Sequence, residues 1–373
     1  MRNAPRALAL ALALSAWACG PARVGPVEGG RSDGAPARKL RLSWTSERDS
    51  GTYCLVWADV DLDGDPDLTV GDKWGPGRNS IYRNDNGRLR LWWTAAEPDA
   101  TESDGLSWAD WDLDGDLDLA AGDQGGQLRI YATTRDTLKL VWRAEVSEQT
   151  MGVAWGDWDL DGDPDLAVAN ADQPNRLYAN TTRGLRTVWV SAERDRSEGL
   201  AWADFDRDYD LDLAFANYAS QPNVIYENSA GQMEYAWDTR EEDNSLSVAW
   251  GDWDGDYDLD LAVANEMEPN RLYQNSTLDL VPAWHSSEHD ASRDVAWGDW
   301  DNDGDLDLAV ANEGDPNRVY ENTGSTLELA WSSRERDQSV SVAWADVDGD
   351  GDVDLAVGNK GPNRLYLNVA ASW

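Results

Sequence analysis

Five aspartates at alternate positions recur as a block seven times along this chain, and that repetition limits the folds open to it. The first aspartates of the blocks are Asp59, Asp110, Asp157, Asp204, Asp252, Asp299 and Asp346, separated by 51, 47, 47, 48, 47 and 47 residues. A fixed period of this size marks a repeat architecture, in which each unit buries its apolar face against its neighbours. At 373 residues the length alone suggests about two domains, but stacking of repeats overrides that expectation.

The sixth block shows what the spacing is for. Asp299, Asp301, Asp303, Asp305 and Asp307 alternate, with Gly304 where the loop turns sharply. Carboxylates at positions 1, 3 and 5, a backbone carbonyl at 7, a further carboxylate and a glycine at 6 are how a loop wraps oxygen around a hard cation. Calcium is therefore the expected ion. Magnesium fits less well, because it demands tight octahedral geometry and keeps its waters. The corresponding aspartates are Asp59, Asp61, Asp63, Asp65 and Asp67; Asp110, Asp112, Asp114, Asp116 and Asp118; Asp157, Asp159, Asp161, Asp163 and Asp165. They continue as Asp204, Asp206, Asp208, Asp210 and Asp212; Asp252, Asp254, Asp256, Asp258 and Asp260; Asp346, Asp348, Asp350, Asp352 and Asp354. In the fourth and fifth blocks Tyr209 and Tyr257 stand where the others have glycine, which predicts weaker sites there.

These blocks account for much of the chain's acidity. There are 71 Asp and Glu against 31 Lys and Arg, and 35 of the acids lie in the blocks. One divalent ion in each of the seven would move the formal charge from -40 to -26. Nucleic acid is excluded as a natural partner, since affinity for it comes from basic groups that neutralise phosphates.

Each period divides into four short strands with turn residues between them. In the sixth they are residues 294–300, 308–311, 318–321 and 327–332, with 312–317 and 322–325 as turns. Seven periods of four antiparallel strands predict an all-β, seven-bladed propeller, with up to seven calcium ions, one per blade. The fourth strand carries Trp93, Trp142, Trp189, Trp237, Trp284 or Trp331, and the chain stops at Trp373 with little room for a seventh such strand. Residues 40–46, with Trp44, match its pattern, so the expectation is that this N-terminal strand completes the last blade and closes the ring. The second period departs from the rest: it has Gln127-Leu128 where others have Pro-Asn, which changes the turn between its second and third strands.

At these residues the chain resembles the FG-GAP or VCBS repeat family, the calcium-loop propeller repeats related to the head of integrin alpha subunits. The resemblance covers residues 40–373 and rests on seven copies of D-x-D-x-D-x-D-x-D followed by Leu, an apolar strand and, in most, P-N-R-[LV]-Y. The FG and GAP signatures are replaced by Ala-Trp and Val-Ala-Asn, so the nearer match is the VCBS-like branch. The resemblance implies metal ligation at the first, third, fifth and ninth positions of each loop, and an extracellular binding or adhesion module recognising protein or cell-surface material.

Ahead of the repeats, residues 1–18 read as an export signal, with Arg2 and Arg6 before an apolar run too short to span a bilayer. Cys19 follows and resembles a bacterial lipoprotein acylation site; simple cleavage after Ala16-Trp17-Ala18 is the alternative. Residues 19–39 read as a lipidated or flexible tether, so the membrane is expected as a partner only through Cys19. The expected location is the outer membrane or cell surface, or the medium. Cys54 is expected to be a buried thiol.

Alternating hairpins place the Asp loops on one face and the other turns on the opposite face, where a protein or glycan ligand is expected. Recurring groups there, such as Asn175, Arg176, Glu193 and their equivalents, read first as turn and inter-blade ties. The candidates outside the repeat pattern are Trp74, in an enlarged turn, with Tyr218, Met267, His285 and His289. A multivalent lectin is the alternative function, and a polysaccharide-active enzyme a further one. No catalytic constellation is legible, the chain having only two histidines.

Overall fold

A computed structural model describes residues 38–47, 51–74, 78–95, 103–135, 137–276 and 279–370. The export signal, Cys19, most of the tether and Trp373 lie outside the described residues. Every named element is a strand. The sixth period shows the plan: Ser292–Gly298, Asp307–Asn312, Arg318–Asn322 and Leu327–Ser332 pair antiparallel in chain order. Its second strand, Asp-Leu-Ala-Val-Ala-Asn, is buried at every residue, because sheets pack on both of its faces. The outermost strand is mostly exposed, with Leu327 buried and Trp331 half-buried.

The strands form six hydrogen-bonded sheets, five of four strands and one of six. This corrects the expectation of seven separate four-stranded blades: counted as sheets, the propeller has six. The fusion falls in the second period. Two long strands, Asp118–Thr134 and Thr137–Gly156, pair from Thr134 with Thr137 out to Gln124 with Gln149, through Gln127 with Ser147 and Gly126 with Glu148. The physical reason is a missing proline. Five other periods place a proline, Pro174, Pro222, Pro269, Pro316 or Pro362, two residues before the third strand. A proline has no N–H for a ladder and so ends one. Without it, the backbone of residues 124–127 keeps its donors and the ladder runs on into the next period.

Closure is also corrected. The hydrogen bonds joining the first and last sheets run between inner strands and turns: Leu55 N donates to Ser341 Oγ (3.2 Å), the Trp57 indole to Ala343 O (3.3 Å) and Thr52 Oγ1 to Asn363 Oδ1 (2.9 Å). The N-terminal strand Arg38–Thr45 lies at the outer edge of the last sheet, paired with Arg364–Ala370.

Six apolar clusters join neighbouring sheets, a seventh lies inside the six-stranded sheet, and a repeated set of polar ties runs between the inner strands. Trp155, Trp202, Trp297 and Trp344 each donate an indole N–H to a carbonyl of the preceding inner strand, at 3.1–3.2 Å. Outer-strand tryptophans meet the next sheet's tyrosine edge-on, as in Trp189–Tyr226 and Trp284–Tyr320, with centroids 4.9 and 5.1 Å apart. The tryptophans of the repeat are thus packing residues.

Candidate metal centres

The first Asp loop shows how the sequence builds a cation cage. Asp59, at position 1, accepts from the backbone N–H of Asp63 and of Gly64, both at 3.0 Å, which curls the loop around its own carboxylate. Asp67, at position 9 and fully buried, accepts from Val60 N (3.1 Å) and from Asn84 N on the third strand (2.8 Å). The ninth aspartate therefore fastens the loop to the sheet. The same double acceptance recurs at Asp165, Asp212, Asp260, Asp307 and Asp354.

This folding brings positions 1, 3 and 9 together. In the first five loops the groups are Asp59 with Asp61 and Asp67, Asp110 with Asp112 and Asp118, Asp157 with Asp159 and Asp165, Asp204 with Asp206 and Asp212, and Asp252 with Asp254 and Asp260. Within each, one ligand atom per residue lies within 4.8 Å of the others, and two further groups of this kind exist among the described residues. The carboxylates at positions 5 and 7, such as Asp63 and Asp65, fall outside these named groups; the Asp63 carboxylate accepts from Asp65 N at 3.0 Å.

Every loop also holds one buried carboxylate oxygen with no hydrogen-bond partner. These belong to Asp61, Asp110, Asp157, Asp204, Asp252, Asp305 and Asp348. A buried polar atom left unpaired costs about 1–3 kcal/mol, more when charged. Except at Asp305, which stands at position 7, it belongs to position 1 or 3, and that recurrence fits a cation supplying the missing partner. Burial raises the ninth-position carboxyls to about 7 at Asp67, Asp118, Asp165, Asp212, Asp260 and Asp354, and to about 9 at Asp307, with neighbouring carboxylates adding to it against the backbone donors.

A pH prediction follows for the metal-free chain. Folded values near 7 against an ordinary 3.8 mean that the folded state binds more protons than the unfolded state between those limits. The stability these carboxyls contribute is whole below about pH 4 and lost as pH rises through about 7. In chelator, the melting temperature should therefore fall from pH 5 to pH 8. With calcium it should stay nearly level, because the ion replaces the proton. A metal-free melting temperature that climbs over that range would contradict this account.

Tyr209 and Tyr257 keep the loop's geometry at φ 78° and 70°, donating their N–H to Asp204 and Asp252 as glycine does elsewhere. A side chain in this left-handed region costs about 1–2 kcal/mol per residue.

The family model for the FG-GAP-like repeat matches residues 59–121, 114–168, 157–215, 252–310 and 299–357. The chain belongs to the FG-GAP-like repeat family. Each match begins at or within one Asp loop and runs through the next, so the family signal spans the loop-to-loop spacing seen here. A search of curated proteins finds no match. Among solved structures, two crystal structures of BBS1N in complex with ARL6DN, one soaked with lead and one with mercury, align with TM-scores of 0.65 and 0.66 at 11% and 12% identity. Each alignment covers 89% of this chain and 98% of that one, a likeness of fold.

On the opposite face of this FG-GAP propeller, the recurring groups are engaged in ties. Asn175 and Asn317 donate to Ser197 and Ser339 of the following sheet at 2.9 and 3.0 Å. Arg176 pairs with Glu148 and Arg318 with Asp290, while the hydroxyls of Tyr273 and Tyr320 reach Glu241 and Glu288. Trp74 ends the strand Asp67–Trp74, opposite Gly51, and so does not sit in an enlarged turn. Tyr218 donates to Glu266 (2.6 Å) under the Arg196 guanidinium, and Met267 N donates to Asp290 O (2.9 Å), placing Met267 on a turn beside that of His289. Met267 is 66% exposed, and His285 and His289 are exposed too.

Sequence reading missed the axis. A cavity of about 90 Å³ opens among the inner strands, lined in part by Tyr53, Asp104, Glu198, Arg293 and Asp294. Cys54, buried as expected, lines it as well. Asp104 pairs with Lys73 (2.7 Å), whose ammonium lies over the Tyr53 ring, and Tyr53 donates to Glu198 (3.3 Å). The available signal was the residue six places before each loop, which reads Tyr53, Asp104, Met151, Glu198, Leu246, Arg293, Val340 in an otherwise repetitive sequence.

Proposed function

We propose that this chain is a protein-binding FG-GAP propeller whose sheets are fastened by calcium in the Asp loops. The observation that carries the metal assignment is the unpartnered buried carboxylate oxygen in each loop. Hard oxygen donors in a flexible loop suit calcium above magnesium. One ion per loop puts two on the six-stranded sheet, so one per blade is not the rule. The protein-binding assignment is supported by the fold shared with BBS1N, solved with ARL6DN bound, and by a face whose candidates, Met267, His285 and His289, are exposed. The chain acts as a non-enzymatic module of extracytoplasmic adhesion type, exported by residues 1–18 and tethered through Cys19.

Screening the calcium-loaded chain on glycan and protein arrays tests this reading. Binding to proteins that free sugars leave untouched is expected. Sugar-inhibitable binding would replace it with the lectin alternative.

A further inference from the structure

The Asp loops carry a second pattern that metal binding does not use. Leu62, Leu113 and Leu160 occupy position 4 of the first three loops, and Tyr209 and Tyr257 occupy position 6 of the next two. They are 58%, 57%, 57%, 84% and 79% exposed, and all five adopt left-handed backbone, with φ between 57° and 78°. The sixth and seventh loops meet the same turns with Asn302 and Gly349 at position 4 and Gly304 and Gly351 at position 6, residues that suit this conformation. At position 6 a Cβ on Gly64, Gly115 or Gly162 would meet nothing within 4 Å, so the position is open to a side chain. Five consecutive loops thus present a large, mostly exposed apolar or aromatic side chain in a conformation that disfavours it.

We infer that this arc on the metal-loop face is a docking surface for a basic, amphipathic protein segment. The inference rests on the protein-binding reading above and names a surface for it. Charge selects the occupant. The chain stands at -40, and seven divalent ions still leave it at -26, so an anionic membrane or a second copy is repelled where a basic segment is drawn in. The apolar knobs between the carboxylates then give such a segment's apolar face something to cover.

The test uses two synthetic peptides of equal charge, one an amphipathic helix of leucine and lysine, the other of serine and lysine. Their binding to the full chain is measured by calorimetry in calcium at physiological salt. The variant combines Leu62→Asn, Leu113→Asn, Leu160→Asn, Tyr209→Gly and Tyr257→Gly, which installs residues the other loops already use. It should melt no lower than the parent, bind the leucine–lysine peptide at least about tenfold more weakly, and bind the serine–lysine peptide as before. Equal binding of the leucine–lysine peptide to parent and variant overturns the arc while leaving protein binding elsewhere intact. Absence of binding by either peptide overturns it too, as does arc-dependent binding to phosphatidylserine vesicles, which would make the occupant a membrane. Failure of the protein-binding reading itself shows separately, on the arrays.

Discussion

Removing calcium with excess chelator should lower the melting temperature of this protein by about 20 °C or more, the largest effect expected from any single treatment. The size follows from linkage. An ion that binds only the folded state at a hundredfold excess over its Kd contributes about 2.7 kcal/mol, and seven such sites sum to about 19 kcal/mol. The loop geometry agrees in kind, since without the ion each loop holds converging carboxylates and a buried oxygen with no partner. Scanning calorimetry with calcium, with magnesium and in chelator decides the matter. Identical melting temperatures in calcium and in chelator would remove the ions from the account and leave the loops as acidic turns.

Asp294→Ala should cost about 3–5 kcal/mol, the largest effect expected of one substitution. Asp294 is buried on the inner strand Ser292–Gly298 and reaches both neighbouring strands. One oxygen accepts from Ser247 Oγ (2.7 Å) and Val295 N (2.9 Å), the other from Ser341 Oγ (2.9 Å) and Val342 N (3.0 Å). Burial pushes its carboxyl upward, and the four donors work against that. Alanine leaves those donors facing a cavity with no acceptor. Urea titration in calcium measures the cost through the shift in midpoint. A loss below about 1 kcal/mol would show that water replaces the carboxylate and that three sheets do not depend on it.

Much of this architecture was legible because it repeats. The strand at Leu327–Ser332 was placed to the residue, and the neighbouring strands to within about two residues at either end, since apolar runs between Gly, Pro and Asn turns leave little choice. The grouping of position 9 with positions 1 and 3 was open to the same logic, because alternate spacing folds back only one way around a cation. What escaped notice was what does not repeat. The altered turn at Gln127-Leu128 was visible, yet its consequence, a ladder shared by two periods, depends on a partner segment, residues 147–149, more than a dozen positions away. Asp294 and the axial residues hid within strands whose average reads as apolar. Trp74 does not lie in the enlarged turn, because its backbone still pairs with Gly51.

The shared ladder also divides the ring into unequal parts for local opening. Amide protons escape in cooperative units set by backbone pairing, and here one unit spans residues 103–190 and contains two Asp loops. Hydrogen exchange through that panel should proceed as a single event, while each four-stranded sheet opens alone. Loss of an ion from the loop at Asp110 would then be felt at Asp157, through the backbone, before it reached the loop at Asp59 on the other side.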